Sequence, residues 1–268
     1  MGFYAKRILE VALASRPQFY LKVLSLLRRG SLEKRIYLSL LQRGDVVFDL
    51  GANEGYFTSL FSDIVGAGGQ VHAFEPVPQT FEKLSARMSM RPRNQNYLLN
   101  QVACSDCSGD GTVSVPGGDS GQASLRQHKG GSWNQSVVVS SFPVKLVTLN
   151  DYVRGNSLPR LDFVKCDVEG AELLALRGGR VVLEQFGPLI LFELFQLWTA
   201  DFGHTPADVI QFLKTCGYNR FFVAGEHLER LDDAKDDINE IAAVRLVSVL
   251  AAISGKHDAR IRRLDMLS

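Results

Sequence analysis

Val46-Val47-Phe48-Asp49-Leu50-Gly51-Ala52-Asn53-Glu54-Gly55-Tyr56-Phe57 reads as a buried strand that turns through glycines into a helix. Val46 to Leu50 is the kind of short apolar run that fills the centre of a parallel sheet. Glu54 to Val65 then carries helical spacing through Phe57, Leu60, Phe61 and Ile64. Gly51 and Gly55 sit at the corner between them. There the absence of a Cβ lets backbone approach a ligand, and the helix N-terminus offers unpaired amides. A doubly wound α/β sheet holds nucleotide-type ligands at such a corner.

The spacing narrows the ligand. Dinucleotide folds use G-x-G-x-x-G to hold a pyrophosphate, whereas this loop is D-x-G-x-x-x-G. A carboxylate at Asp49 repels phosphate and suits the cationic amino group of a methionine-like moiety, directly or through water. Val71 to Phe74 reads as a second strand that ends in Glu75-Pro76. That places an acid about 20 residues after the glycines, where it accepts both ribose hydroxyls. Asp49 and Glu75 therefore bracket an adenosyl amino acid.

Strand and helix signals continue to alternate. Pro78 to Met90 has helical spacing, and Tyr97 to Val102 reads as a third strand whose end offers Ala103, Ser105 and Asp106 as candidate contacts to a base. Residues 111–148 break the rhythm with Gly117-Gly118, Gly121, Gly130-Gly131 and the β-branched Val137 to Val139, which predicts a β excursion with a loop near the ligand. Leu161 to Asp167 and Pro188 to Phe195 read as central strands. Their ends bring Asp167, Glu169 and Glu193 to the edge where the glycine loop lies, and a carboxylate in such an apolar run needs a partner or a task. Beyond them, Pro206 to Thr215 reads as a helix and Arg220 to Ala224 as a strand. Glu226 to Glu240 reads as a solvated connection, and Ile241 to Ile253 as the final strand or strand pair.

At 268 residues and 46% hydrophobic, the chain fits one α/β domain with extensions. The expected division is a basic helical extension over 1–43 and the main domain over 44–268, with the insertion inside it. Residues 1–43 carry Lys6, Arg7, Arg16, Lys22, Arg28, Arg29, Lys34, Arg35 and Arg43 against Glu10 and Glu33. Ile8, Val11, Ala12, Leu21, Val23, Leu24 and Leu27 suggest amphipathic helices there, which cap the fold, contact anionic lipid or bind a partner. No run reaches the roughly 20 apolar residues of a membrane span, so a cytoplasmic protein is expected, with peripheral membrane contact open. A net charge of +1 carries no nucleic-acid signature. Cys104-x-x-Cys107 lacks the second close pair a zinc site needs, and reduced thiols are expected.

Four blocks together resemble the FkbM-type methyltransferases: Val47 to Gly55, Phe74-Glu75-Pro76, Val164-Lys165-Cys166-Asp167-Val168-Glu169-Gly170-Ala171-Glu172, and Leu191-Phe192-Glu193. The resemblance covers Gly44 to Tyr218. It implies a class I S-adenosylmethionine-dependent fold, Rossmann-like and doubly wound with about seven mostly parallel strands, acting most often on a hydroxyl of a sugar or secondary metabolite. By that similarity Asp49, Gly51, Asn53, Gly55 and Glu75 bind S-adenosylmethionine, leaving S-adenosylhomocysteine as product, and Asp167 lies near the sulfonium end. An alcohol oxygen needs a base, and Asp167 and Glu193 are the candidates, with Glu169 orienting the substrate and His204 a second base candidate. Lys165 is placed to pair with one of the acids, although its alternation with Cys166 also fits a polar strand face. A divalent metal held by the carboxylates is an alternative that the spacing does not favour. An NAD-dependent oxidoreductase or a catalytically silent scaffold are the rival classes.

Overall fold

The computed structural model describes residues 13–26, 30–91, 96–129, 133, 137–225, 228–232 and 235–264. In chain order the elements are α1 (Pro17–Leu26), α2 (Leu32–Leu40), β1 (Val46–Leu50), α3 (Tyr56–Val65), β2 (Gln70–Phe74), α4 (Pro78–Ser89), β3 (Tyr97–Asn100), β4 (Val102–Cys104), β5 (Gly109–Pro116), β6 (Val139–Val147) and α5 (Leu149–Gly155). They continue with β7 (Phe163–Cys166), α6 (Glu172–Arg177), α7 (Arg180–Phe186), β8 (Leu189–Leu194), α8 (Gln196–Asp201), α9 (Pro206–Thr215), β9 (Arg220–Ala224), β10 (Leu228–Arg230), α10 (Ile238–Val244), β11 (Val247–Ala252) and α11 (Asp258–Ile261).

One eight-stranded sheet runs β10-β9-β11-β8-β7-β1-β2-β3, and a second sheet runs β4-β6-β5. The centre is parallel through β3, β2, β1, β7 and β8, while β11 enters antiparallel between β8 and β9. This is a mixed α/β fold with a mostly parallel central sheet. The order reverses direction on either side of β1 and β7, which places a ligand crevice at their carboxyl ends.

The period-two alternation of strands divides the core. Val46, Phe48 and Leu50 of β1 join one apolar cluster together with Val164 and Cys166 of β7. Val47 and Phe163 join a second cluster on the opposite face, built with Phe61 and Ile64 of α3 and Ile36, Tyr37, Leu38 and Leu40 of α2. Helix α2 is thus packed into the core face that carries α3. It starts at Ser31, whose side chain accepts from the Lys34 amide. Ile8, Val11, Ala12 and Leu27 lie outside the described residues.

Four expectations are corrected. The stretch read as a bare connection holds β10, which adds an antiparallel edge to the eight-stranded sheet. The Tyr97 to Val102 strand ends at Asn100. Val102 starts a new strand that pairs with Lys145 of β6 in the second sheet, so the insertion recruits the chain before it. Ile241 does not begin a strand: Asp237 caps the Asn239 amide, and Ile238, Ile241 and Ala242 lie on a helical spacing. Lys165 is not on a polar face, since only 3% of it is exposed.

Candidate active site

Asp49 and Lys165 are register partners on the adjacent parallel strands β1 and β7, so both side chains leave the sheet on the α3 face. Asp49 is wholly buried, and its Oδ2 accepts from Thr58 Oγ1 of α3 at 2.6 Å. The Lys165 Nζ lies 3.6 Å from Asp49 Oδ1 and donates to Asp167 Oδ2 at 2.9 Å and to the Gly51 carbonyl at 3.2 Å. Burial works against the Lys165 ammonium, but Asp167 and Asp49 offset this and hold it above its ordinary range. Burial likewise raises Asp49, and Lys165 and Thr58 pull it back. Asp49 is therefore a supporting charge beneath the glycine corner rather than a surface group.

The corner itself follows from close approach. Gly51 has φ +75°, and a Cβ there would stand 1.8 Å from the Asp167 carbonyl oxygen. Gly55 has φ +81°, and a Cβ would stand 2.5 Å from Leu84. Asn53 takes φ +47°, a region an asparagine tolerates better than most residues. Glu75 is 4% exposed and accepts from the amides of Asn53 and Val77, both at 2.9 Å. Burial nonetheless pushes its carboxyl up to about 7.

A cavity lies above these groups, walled by Gly51, Asn53, Glu75, Ala103, Asp167 and Glu169 among others. It adjoins an open cleft that shares Gly51, Asn53 and Asp167 and adds Glu54, Tyr56, Phe57 and Lys165. Ser120 and Gly121 of the insertion line both, and Ala123 and Leu125 line the first. The insertion is thus a roof. Two of its side chains meet one atom of the far wall, the Glu169 carbonyl, which accepts from Ser124 Oγ at 2.7 Å and from His128 Nε2 at 3.0 Å. The other ring nitrogen of His128 faces Asp201 Oδ2 at 3.0 Å.

Glu169 holds φ +55°, unusual for a residue with a long side chain, and the amides on either side of it, Val168 and Gly170, donate to Glu172 Oε1. Glu172 is 1% exposed, and burial raises it to about 7. Glu169 and Glu193 are both raised well above the usual carboxylate range, by burial first and then by the charge of Asp167. Glu193 does not line the cavity but lies within electrostatic reach of Asp167 and Lys165.

The structure therefore brings together Gly51, Asn53, Glu75, Ala103, Asp167 and Glu169 around one cavity, with Asp49 beneath it and Gly55 at the head of α3. It does not bring Ser105 or Asp106 to the wall: Ser105 is buried with its carbonyl against Gly178, and Asp106 is exposed. His204 lies in the turn before α9 beside Phe202, and burial lowers its basicity. No three His, Cys, Asp or Glu side chains form a metal group among the described residues. Reading the sequence missed Thr58, Ser124, His128 and Glu172. Thr58 alone left a signal, a polar residue one turn after Gly55 on the buried face of an apolar helix.

Comparison with known proteins gives the site a family. The Methyltransferase FkbM domain model matches residues 49–220. The hexuronic acid methyltransferase AglP of Haloferax volcanii is 29% identical over 179 residues, 67% of this chain and 65% of AglP, so the match spans less than two thirds of that relative. The 2-O-methyltransferase NoeI of Sinorhizobium fredii is 28% identical over 192 residues, 68% of this chain and 77% of NoeI. The solved FkbM methyltransferase of Methylobacillus flagellatus KT aligns with a TM-score of 0.47 at 14% identity, over 79% of this chain and 44% of that one. The chain belongs to the FkbM methyltransferase family.

Proposed function

We propose that this chain transfers a methyl group from S-adenosylmethionine to a hydroxyl oxygen of a sugar or sugar-like metabolite. The observation that carries the reading is the single cavity whose walls hold Gly51, Asn53 and Glu75 on one side and Asp167 and Glu169 on the other. The residues fit the cofactor. Gly51 lets the ends of β1 and β7 close together at the floor, where a Cβ would stand 1.8 Å from the Asp167 carbonyl oxygen, and Glu75 presents a nearly buried carboxylate suited to a ribose diol. Bound there, the cofactor supplies an electrophilic methyl group on a cationic sulfur. AglP and NoeI are named for a hexuronic acid and a 2-O position, which favours a sugar hydroxyl as acceptor.

The protein's own part is placement and proton removal. Lys165 fixes Asp167 through Oδ2, so Oδ1 is the oxygen left to accept the hydroxyl proton. Glu172 and the Ser124 and His128 contacts set the backbone of Glu169, which orients the acceptor. The roof formed by residues 120–125 excludes water from the reacting oxygen.

Two outcomes test this. Incubation with S-adenosylmethionine and a panel of hexose and hexuronic acid acceptors gives a product heavier by one methyl group. Asp167→Asn lowers the rate by a hundredfold or more, roughly the share of a positioned base, with S-adenosylhomocysteine affinity nearly kept. Equal rates in Asp167→Asn and wild type remove Asp167 from that role and leave Glu193 to be tested in the same way.

Glu75 sets a pH dependence. Its carboxyl is raised to about 7, and ribose hydroxyls donate to the deprotonated form. Binding therefore expels a proton below that pH. The affinity for S-adenosylhomocysteine is expected to rise with pH by up to about tenfold per unit until about 7 and then level. Glu75→Gln flattens the slope in a calorimetric series; an unchanged slope assigns the titration elsewhere.

A further inference from the structure

We propose that the outer face of α1 docks on an anionic lipid surface. Helix α1 buries Tyr20, Leu21 and Leu24 against the core. At about 100° per residue, Phe19, Lys22, Val23 and Leu26 fall on its other side. That side is not an ordinary solvent face, since Phe19 is 56% exposed and Leu26 is 85% exposed, with Arg16 and Lys22 exposed alongside. Apolar side chains flanked by cations match the two-part attraction of an interfacial helix, insertion of a few apolar groups plus charge attraction to acidic headgroups. The charge of the surrounding sequence agrees. Residues 1–43 carry nine lysines and arginines against two glutamates, in a chain whose net charge is only +1. An anionic surface is the occupant this charge complements; a second copy of the chain would set the same cations against each other.

The docking face is tied to the cleft. Lys34 Nζ of α2 lies 4.9 Å from the centre of the Tyr20 ring of α1 and 5.8 Å from that of Tyr56, and it donates to Tyr56 Oη at 3.4 Å. Tyr56 is 52% exposed and lines the open cleft with Lys165 and Asp167. One helix width, about 10 Å, and the Lys34 bridge therefore separate a docked surface from the cleft mouth.

Co-sedimentation of the full chain with vesicles tests this, using phosphatidylcholine alone and phosphatidylcholine mixed with phosphatidylglycerol. The wild type is expected to pellet with the mixed vesicles, to stay in solution with the neutral ones, and to be released by high salt. Lys22→Glu and the double variant Phe19→Ser/Leu26→Ser each weaken partitioning by about tenfold or more, while binding of S-adenosylhomocysteine stays at the wild-type level because neither change touches the cavity. Wild type that ignores the mixed vesicles overturns the proposal, as does equal partitioning of the variants. Self-association in sedimentation velocity that the double variant abolishes, without vesicle binding, gives the face to a second copy and also overturns it.

Discussion

Gly51→Ala is expected to abolish measurable binding of S-adenosylhomocysteine and to destabilise the fold by on the order of 3 kcal/mol or more. The added Cβ would stand 1.8 Å from the Asp167 carbonyl, so either β1 or β7 must shift at the end that carries the site. Gly203 separates this collision from backbone strain. It has φ +77°, close to the +75° of Gly51, and a Cβ there meets nothing within 4 Å. Gly203→Ala is expected to cost only about 1 kcal/mol, the ordinary penalty of the left-handed region. Denaturant unfolding and calorimetry of the two variants check the pair; equal losses would mean that the contact between the strand ends carries no weight.

Lys165→Met is the second large effect. It keeps a long apolar stem but leaves the wholly buried Asp49 without its cation, and removing one partner of a buried ion pair costs about 3–5 kcal/mol. Adding Asp49→Asn removes the stranded charge, and much of the loss is expected to return, because contacting residues are not additive. The double variant still binds S-adenosylhomocysteine weakly or not at all, since Lys165 also holds Asp167 and the Gly51 carbonyl. A full loss of stability in both variants, with no recovery, would show that Lys165 acts through packing and not through Asp49.

The local corner was legible in the sequence, and the assembly around it was not. The bounds of β1 and β9 and of α9 follow from short apolar runs, glycine and proline signals and the Thr205 cap with its Asp208 partner. Gly51, Asn53 and Glu75 could be read because they lie within one strand-turn-helix-strand unit. The pairing of Asp49 with Lys165 depends on register between strands more than a hundred residues apart, which no local pattern encodes. The split at Gln101 has a local mark, the polar pair Asn100 and Gln101 between two apolar triplets, but only pairing with β6 shows that the second triplet joins another sheet. The roof contacts from Ser124 and His128 meet a backbone carbonyl, and a carbonyl has no signature in sequence. Glu193 of β8 was found because a carboxylate in an apolar run is expensive unless paired, and Asp167 and Glu169 because they follow a strand that ends on the same edge.

Several acids gather beneath and beside the cavity. Asp49 comes from β1, Glu193 from β8, Asp167 and Glu169 from the loop after β7 and Glu172 from the start of α6, and the buried Lys165 pairs with Asp49 and Asp167. Burial raises Glu169, Glu172 and Glu193 above the usual carboxylate range. Such a site suits a positively charged cofactor, and it disfavours the pyrophosphate of a dinucleotide.

Parallel calorimetric titrations of S-adenosylhomocysteine and of NAD into the wild-type chain separate a methyl-donor site from a dinucleotide site. A methyl-donor site gives saturable binding of S-adenosylhomocysteine at one site per chain and no heat of binding from NAD. NAD binding without S-adenosylhomocysteine binding, or binding of neither, would contradict it.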